Sequence, residues 1–135
     1  MDKHINLFII VIIIIIPFPG CTSKNEKNSE EYPIHLYVSN QSSKDPSANI
    51  TILVDGEIVF KEQCWVDDSH NWTLVEFNLT SGIHIFKALE SDNNMSKTWS
   101  SNIRGERWIV IDYWYKHQSW GSFTFDVDDV VPCFG

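Results

Sequence analysis

The sequence predicts an all-β fold, a single antiparallel β-sandwich of about seven or eight strands. One observation is the segment 49–62, where two runs rich in β-branched residues flank Asp55-Gly56, a pair suited to the positive φ angles of a tight hairpin turn. The other is a series of further short segments in which apolar and polar residues alternate, with polar turns between them and no helical period. A chain of 135 residues has room for one such domain.

In the first half of the domain, strands are predicted where apolar residues occupy every second position. Residues 34–38 form the first strand, and the polar residues 40–48 follow as a loop. The hairpin 49–62 comes next, and residues 63–70 then break the alternation with an acidic turn. The apolar positions of the hairpin, which we expect on its buried face, are Ile50, Ile52, Val54, Ile58 and Phe60.

The second half of the domain continues the same alternation. Its predicted strands cover residues 72–79, 83–89, 97–103, 108–115 and 119–127. The first two are expected to form a second hairpin around Ser81-Gly82. The strand 108–115 is apolar on both faces, which is typical of a central strand. The last strand has Phe123, Phe125 and Val127 on one face.

The N-terminus has the pattern of an export signal. Lys3 and His4 precede the apolar run 7–16, which is shorter than the roughly 20 residues that a membrane span needs but suits the central part of a signal peptide. Gly20 and Cys21 follow this run and resemble a bacterial lipobox, in which the cysteine is diacylated and becomes the new N-terminus. Cys21 is therefore the predicted lipidation site, through which the protein would be held on the cell membrane, outside the cytoplasm.

Two features bear on this interpretation. Phe18-Pro19 stands where an aliphatic and a small residue are commoner in lipoboxes, so a cleaved secretory peptide or an uncleaved anchor are the alternatives. After Cys21, the chain up to Glu31 has no apolar side chain that could be buried, which favours a flexible linker. The predicted division is a signal peptide at residues 1–20, the lipidated cysteine and linker at 21–31, and the sandwich domain at 32–135.

Five short motifs resemble, in their order along the chain, a group of small bacterial lipoproteins. They are Leu36–Ser42, Ile52–Gly56, His70–Trp72, Gly82–His84 and Trp108–Trp114. The resemblance covers about residues 34–125 and implies an immunoglobulin-like or transthyretin-like sandwich at the cell envelope. No activity and no site residue is carried over from it.

The charge excludes one class of partner. The formal net charge is −8, and the basic residues are scattered along the chain, whereas nucleic-acid binding needs clustered lysine and arginine. Nucleic acid is therefore not predicted as a partner. No cofactor is predicted either. The acidic surface is expected to be solvated.

Cys64 and Cys133 remain once Cys21 is assigned to lipid. In an oxidising compartment they favour a disulfide, and the alternative is a pair of unpaired thiols. Neither has a second ligand at the spacing of a metal site, so no metal is predicted there. The acidic segment 126–129 lacks the glycine and distal glutamate of a calcium loop and is expected to be a solvated strand end.

No catalytic residue is predicted. His70 follows Asp67, Asp68 and Ser69, but neighbours on one short loop do not easily converge into a nucleophile–base pair. We expect a non-catalytic binding or structural module of the envelope. The alternatives are a small envelope hydrolase, using His70 or His117, and a carbohydrate-binding module. His35 and His84 lie within strands and are expected to be hydrogen-bonded residues of the sheets.

The candidate binding face is on the strand 108–115. Alternation places Trp108, Asp112 and Trp114 on one side, with Trp120 as a further candidate. If this side is covered, the rings belong to the core; if it is open, they suit an envelope protein, a peptide or a glycan.

The Asp112 carboxylate is a charged group between the two tryptophan rings of this face. It should be either partly hydrated or paired with a cation, because an unpaired buried charge is costly. The candidate cations are Arg104, Arg107 and Lys87.

Overall fold

The computed structural model describes residues 30–66, 72–117 and 120–134. The predicted signal peptide, Cys21 and most of the linker lie outside these residues. Within them the chain forms eight strands. They are β1 (Glu31–Asn40), β2 (Ser47–Val54), β3 (Glu57–Trp65), β4 (Thr73–Thr80), β5 (Gly82–Glu90), β6 (Met95–Ile103), β7 (Arg107–His117) and β8 (Trp120–Asp128).

The strands form two four-stranded sheets, which confirms the predicted all-β sandwich. Sheet A has the order β4-β1-β7-β8, and sheet B has the order β3-β2-β5-β6. The predicted central strand is β7, which lies between β1 and β8. In the described part of the chain, no helix has the length and apolarity needed to cross a membrane.

One strand pair departs from the antiparallel prediction. β1 and β7 run parallel, with Leu36 opposite Ile109 and Val38 opposite Ile111. All other pairs described in the two sheets are antiparallel. Alternation within a strand shows which face is buried but not the direction of a neighbour that is remote in sequence, so this pair could not be predicted from the pattern.

The predicted second hairpin is wrong, because β4 belongs to sheet A and β5 to sheet B. Only Ser81 separates the two strands, whereas the shortest common hairpin loops have two residues. Gly82 has a φ of +136°, a conformation that other residues rarely adopt. The chain therefore uses this turn to cross from one sheet to the other.

The β2–β3 hairpin is confirmed, with Val54 opposite Glu57 across the turn. Asp55 and Gly56 have φ angles of 52° and 90°, as the Asp-Gly pair predicts. The register shifts where Ile52 pairs with Phe60 and Leu53 with Ile58, which leaves Val59 as the extra residue of a bulge. The bulge explains why Ile58, predicted to be buried, is 59% exposed.

The core lies between the sheets and is built from the inward positions of each strand. Its fully buried aliphatic and aromatic side chains include Ile34, Leu36, Ile50, Ile52, Phe86, Ile103, Ile109, Ile111, Tyr113 and Phe123. The β6–β8 side is closed by Trp99 and Phe125, whose ring centroids lie 4.8 Å apart. Lys97 Nζ also donates to the Phe123 carbonyl oxygen at 2.8 Å. This side of the sandwich is therefore covered by its own side chains.

Candidate functional site

The candidate residues of β7 lie on the outer face of sheet A. Ile109, Ile111 and Tyr113 are all 0% exposed and point into the core. Trp108 and Trp114 alternate with them and are half-buried. Each of the two indoles on the outer face is therefore partly buried and partly in contact with solvent.

Trp108 is in contact with His35 of the neighbouring strand. The His35 ring on β1 stacks on the Trp108 ring, with centroids 5.0 Å apart and planes 10° from parallel. His35 Nδ1 lies 2.7 Å from Glu76 Oε1, and its Nε2 lies 2.7 Å from Glu106 Oε1. Because both ring nitrogens face carboxylates, both are satisfied only when the imidazole is protonated. The bond to Glu106 is the main cause that raises the pKa of His35 above its usual value.

Asp112 is held by two neutral donors. Ser39 Oγ donates to Asp112 Oδ1 at 2.6 Å, and Trp72 Nε1 donates to the same oxygen at 2.9 Å. Its side chain is only partly buried, and its donors are a hydroxyl and an indole instead of one of the candidate cations. The carboxylate keeps some contact with solvent, as in the first of the two alternatives that the sequence leaves open.

The three candidate cations lie elsewhere. Arg107 Nη1 donates to the carbonyl oxygen of Glu106 at 2.7 Å. Lys87 lies on β5, in sheet B. The Arg104 guanidinium lies 2.9 Å from the side-chain amide of Asn102, whose oxygen accepts from it when the amide is suitably oriented.

The C-terminal tail lies on the same face. The Phe134 ring stacks on Trp72 with centroids 4.2 Å apart, and its centroid is 5.0 Å from that of Tyr37 on β1. Sequence analysis missed the roles of Tyr37, Trp72 and Phe134. Tyr37 could have been found from alternation, because it lies between the core residues Leu36 and Val38. The other two depend on how the tail and Trp72, just before β4, lie over the sheet.

The predicted disulfide is not formed in the structure, where Cys64 and Cys133 are both free thiols. Cys64 is buried on the inner side of β3, opposite Ala48. Cys133 is exposed in the tail beside Phe134, which packs on the outer face of sheet A. Burial raises the pKa of the Cys64 thiol to about 11, so this thiol is a poor nucleophile.

His84 on β5 is hydrogen-bonded at both ring nitrogens, as expected for a histidine within a sheet. Its Nδ1 lies 2.6 Å from Asp55 Oδ2, and its Nε2 lies 2.8 Å from the Thr80 carbonyl oxygen. Asp55 Oδ1 also accepts from the backbone N–H of Ile85 at 2.8 Å. This backbone bond is the main cause that lowers the pKa of Asp55, with His84 second. The cluster fixes the β2–β3 turn against β5.

Several candidates cannot be placed. His70 and its acidic neighbours lie outside the described residues, as do the side chains of His117 and Trp120. Within the residues that are described, no group of three or more histidine, cysteine, aspartate or glutamate side chains could hold a metal ion.

The described groups of the outer face do not form a nucleophile–base pair. The Ser39 hydroxyl belongs to a residue that is only 1% exposed, and it donates to Asp112 instead of to a histidine base. Both nitrogens of the nearest described histidine, His35, are engaged by carboxylates. The face offers half-exposed rings beside a hydrogen-bond acceptor that is fixed in position.

No protein-family model matches the chain, and no curated protein matches it either.

Proposed function

We propose that this protein is a non-catalytic binding module of the cell envelope, tethered to the membrane through lipid on Cys21. Its binding surface is the outer face of sheet A, around Trp108, Asp112 and Trp114. The partner is an envelope protein, a peptide or a glycan, and it contacts the exposed parts of the two indoles.

One observation carries this proposal: polar groups of the outer face are fixed in position without being buried. Asp112 receives two hydrogen bonds and stays partly exposed. The His35 ring is likewise held by Glu76 and Glu106 while it stacks on Trp108. Preorganised polar groups reduce the entropy that a binding site loses when it meets its partner. A purely structural sheet face does not need this arrangement.

The test is site-specific photo-crosslinking in intact cells. A photoreactive amino acid replaces Thr124, an exposed residue of β8 that lies opposite Asp112 on the outer face of sheet A. The matched control replaces Thr98, an exposed residue of β6 on the outer face of sheet B. We expect a discrete crosslinked product from position 124 that is absent from position 98.

A second variant links that product to the indoles. Trp108→Ala in the position-124 protein should remove the product, because the ring supplies contact area to the partner. Equal products from both faces, or a product that survives Trp108→Ala and Trp114→Ala alike, would contradict the proposal.

A further inference from the structure

Among the described residues, the side of the sandwich between β3 and β4 is open, unlike the β6–β8 side. A groove of about 440 Å³ lies between these two strands. Its apolar lining is formed by Val54, Val59, Phe77 and Leu79. The last three are only partly buried, so the groove exposes apolar area next to the core. This groove is distinct from the outer face of sheet A.

Of the four strands at the sheet edges, β4 has the most regular unpaired edge. β6 and β8 are linked across their side of the sandwich by Lys97 and Trp99. β3 carries the bulge at Val59, a device that discourages pairing with a further strand. β4 pairs with β1 without any register shift and contains neither proline nor lysine. Its other edge is therefore open to pairing.

The backbone of β4 itself borders the groove. Four consecutive residues, from Phe77 to Thr80, contribute to the lining. Side chains on one face of a strand would contribute only alternate residues. A consecutive run indicates that the edge of the strand, with its backbone N–H and C=O groups, faces the groove.

Acidic side chains outnumber basic ones around the groove. Glu31, Asp55 and Glu57 line it together with His84, which pairs with Asp55. Neither lysine nor arginine is among the described residues that line it. An occupant with basic side chains would be attracted to this end of the domain, whereas an acidic one would be repelled.

We propose that β4 accepts an extended segment of a basic partner protein as an additional strand of sheet A. The segment has apolar side chains at alternate positions, which enter the groove beside Phe77 and Leu79. Lysine or arginine side chains between them lie near the carboxylates of Glu31 and Glu57. Main-chain hydrogen bonds hold the segment, and the alternating side chains select it.

The probe is a short, capped, fluorescein-labelled peptide of alternating lysine and valine. Its binding to the full-length protein in a nonionic detergent is followed by fluorescence anisotropy. A second peptide keeps the lysines but has proline in place of valine, which removes backbone donors and apolar contacts without changing the charge. We expect the lysine–valine peptide to bind and the lysine–proline peptide to bind at least about tenfold more weakly.

Charge reversal provides the matched variants. Glu31→Lys combined with Glu57→Lys should weaken binding of the lysine–valine peptide by about tenfold or more. Asp126→Lys combined with Asp128→Lys makes the same charge change on β8, at the opposite edge of sheet A, and should change binding by less than about twofold. Equal losses in the two variants would mean that the peptide senses only overall charge, and the proposal would be overturned.

Hydrogen exchange of the unsubstituted protein gives a measurement that does not depend on any variant folding. Addition of the lysine–valine peptide should slow exchange of the alternate backbone amides between Phe77 and Thr80 that point to the free edge of β4, because these N–H groups become donors to the new strand. No added protection there, or no binding of the peptide at all, would overturn the proposal.

Discussion

Replacing Asp112 with alanine tests whether this carboxylate organises the outer face of sheet A. The substitution removes the acceptor of Ser39 Oγ and of Trp72 Nε1, which lie 2.6 and 2.9 Å from it. A hydrogen bond to a charged group contributes about 1.5–3 kcal/mol. Because the site is partly exposed, water replaces some of each bond, and we expect a total loss of about 2 kcal/mol from the free energy of unfolding.

The assay is equilibrium urea unfolding of the unsubstituted protein, Asp112→Ala, Ser39→Ala and the double variant. Ser39→Ala should account for about half of the loss, and the two changes should be non-additive by roughly 1 kcal/mol because they remove one shared bond. The matched control is Asp126→Ala, an exposed carboxylate of β8 opposite Val110. It should change stability by less than about 0.5 kcal/mol.

Two results would refute this reasoning. An Asp112→Ala effect no larger than that of Asp126→Ala would show that the two hydrogen bonds contribute nothing. Strict additivity of Asp112→Ala and Ser39→Ala would show that the two side chains act independently.

Three further predictions concern other parts of the domain. The pKa of His35 in the folded protein is raised above 6.5. The free energy of unfolding that the protonated His35 contributes should therefore be complete below pH about 6.5 and lost as the pH rises through the folded pKa. His35→Gln should remove that part of the pH dependence, measured by urea unfolding. Cys133 should react rapidly with a thiol reagent in the native protein and Cys64 only after unfolding, and equal native rates would contradict the burial of Cys64. Phe134→Ala should increase the quenching of tryptophan fluorescence by iodide, because the ring of Phe134 no longer covers Trp72. Unaltered quenching would show that the tail does not cover this ring.

Much of the fold could be predicted from alternation alone. Apolar positions at every second residue identified the buried faces of β2 and β8, and Asp55-Gly56 identified the tight turn between β2 and β3. The strand β7 is apolar on both faces, so alternation did not show which of its faces is buried. Alternation reports only which side of a strand is apolar. It did not indicate the bulge at Val59, where one extra residue moves Ile58 from the buried to the exposed face.

Pairing between remote strands was the part that alternation could not predict. The prediction of a β4–β5 hairpin was wrong because both strands show the same alternation, whether they pair or lie in different sheets. Only the length of the turn, a single residue, distinguishes a crossover between sheets from a hairpin. The parallel β1–β7 pair was missed for the same reason. This pair brings Ser39 beside Asp112 and His35 beside Trp108, so the partners of the site depended on a contact that leaves no local signal in the sequence.

The candidate residues on β7 were predictable because they share one strand. Alternation placed Trp108, Asp112 and Trp114 together, and the carboxylate among the rings indicated either a partly hydrated face or a paired cation. The indole that donates to Asp112 comes from Trp72, which precedes β4 at the other edge of β1. Such a partner is identified only once the order of the strands is known.

The most direct test of the proposed binding face is Trp114→Ala in the protein that carries the photoreactive residue at position 124, with crosslinking and urea unfolding measured on the same preparation. The account predicts that the crosslinked product disappears while stability falls by less than the roughly 3–5 kcal/mol typical of a fully buried tryptophan. The matched control is Trp99→Ala on β6, whose ring stacks on Phe125 at the closed side of the sandwich; it should lower stability and leave the product unchanged. A large stability loss in Trp114→Ala with crosslinking intact would instead make this ring part of the structural core and contradict the account.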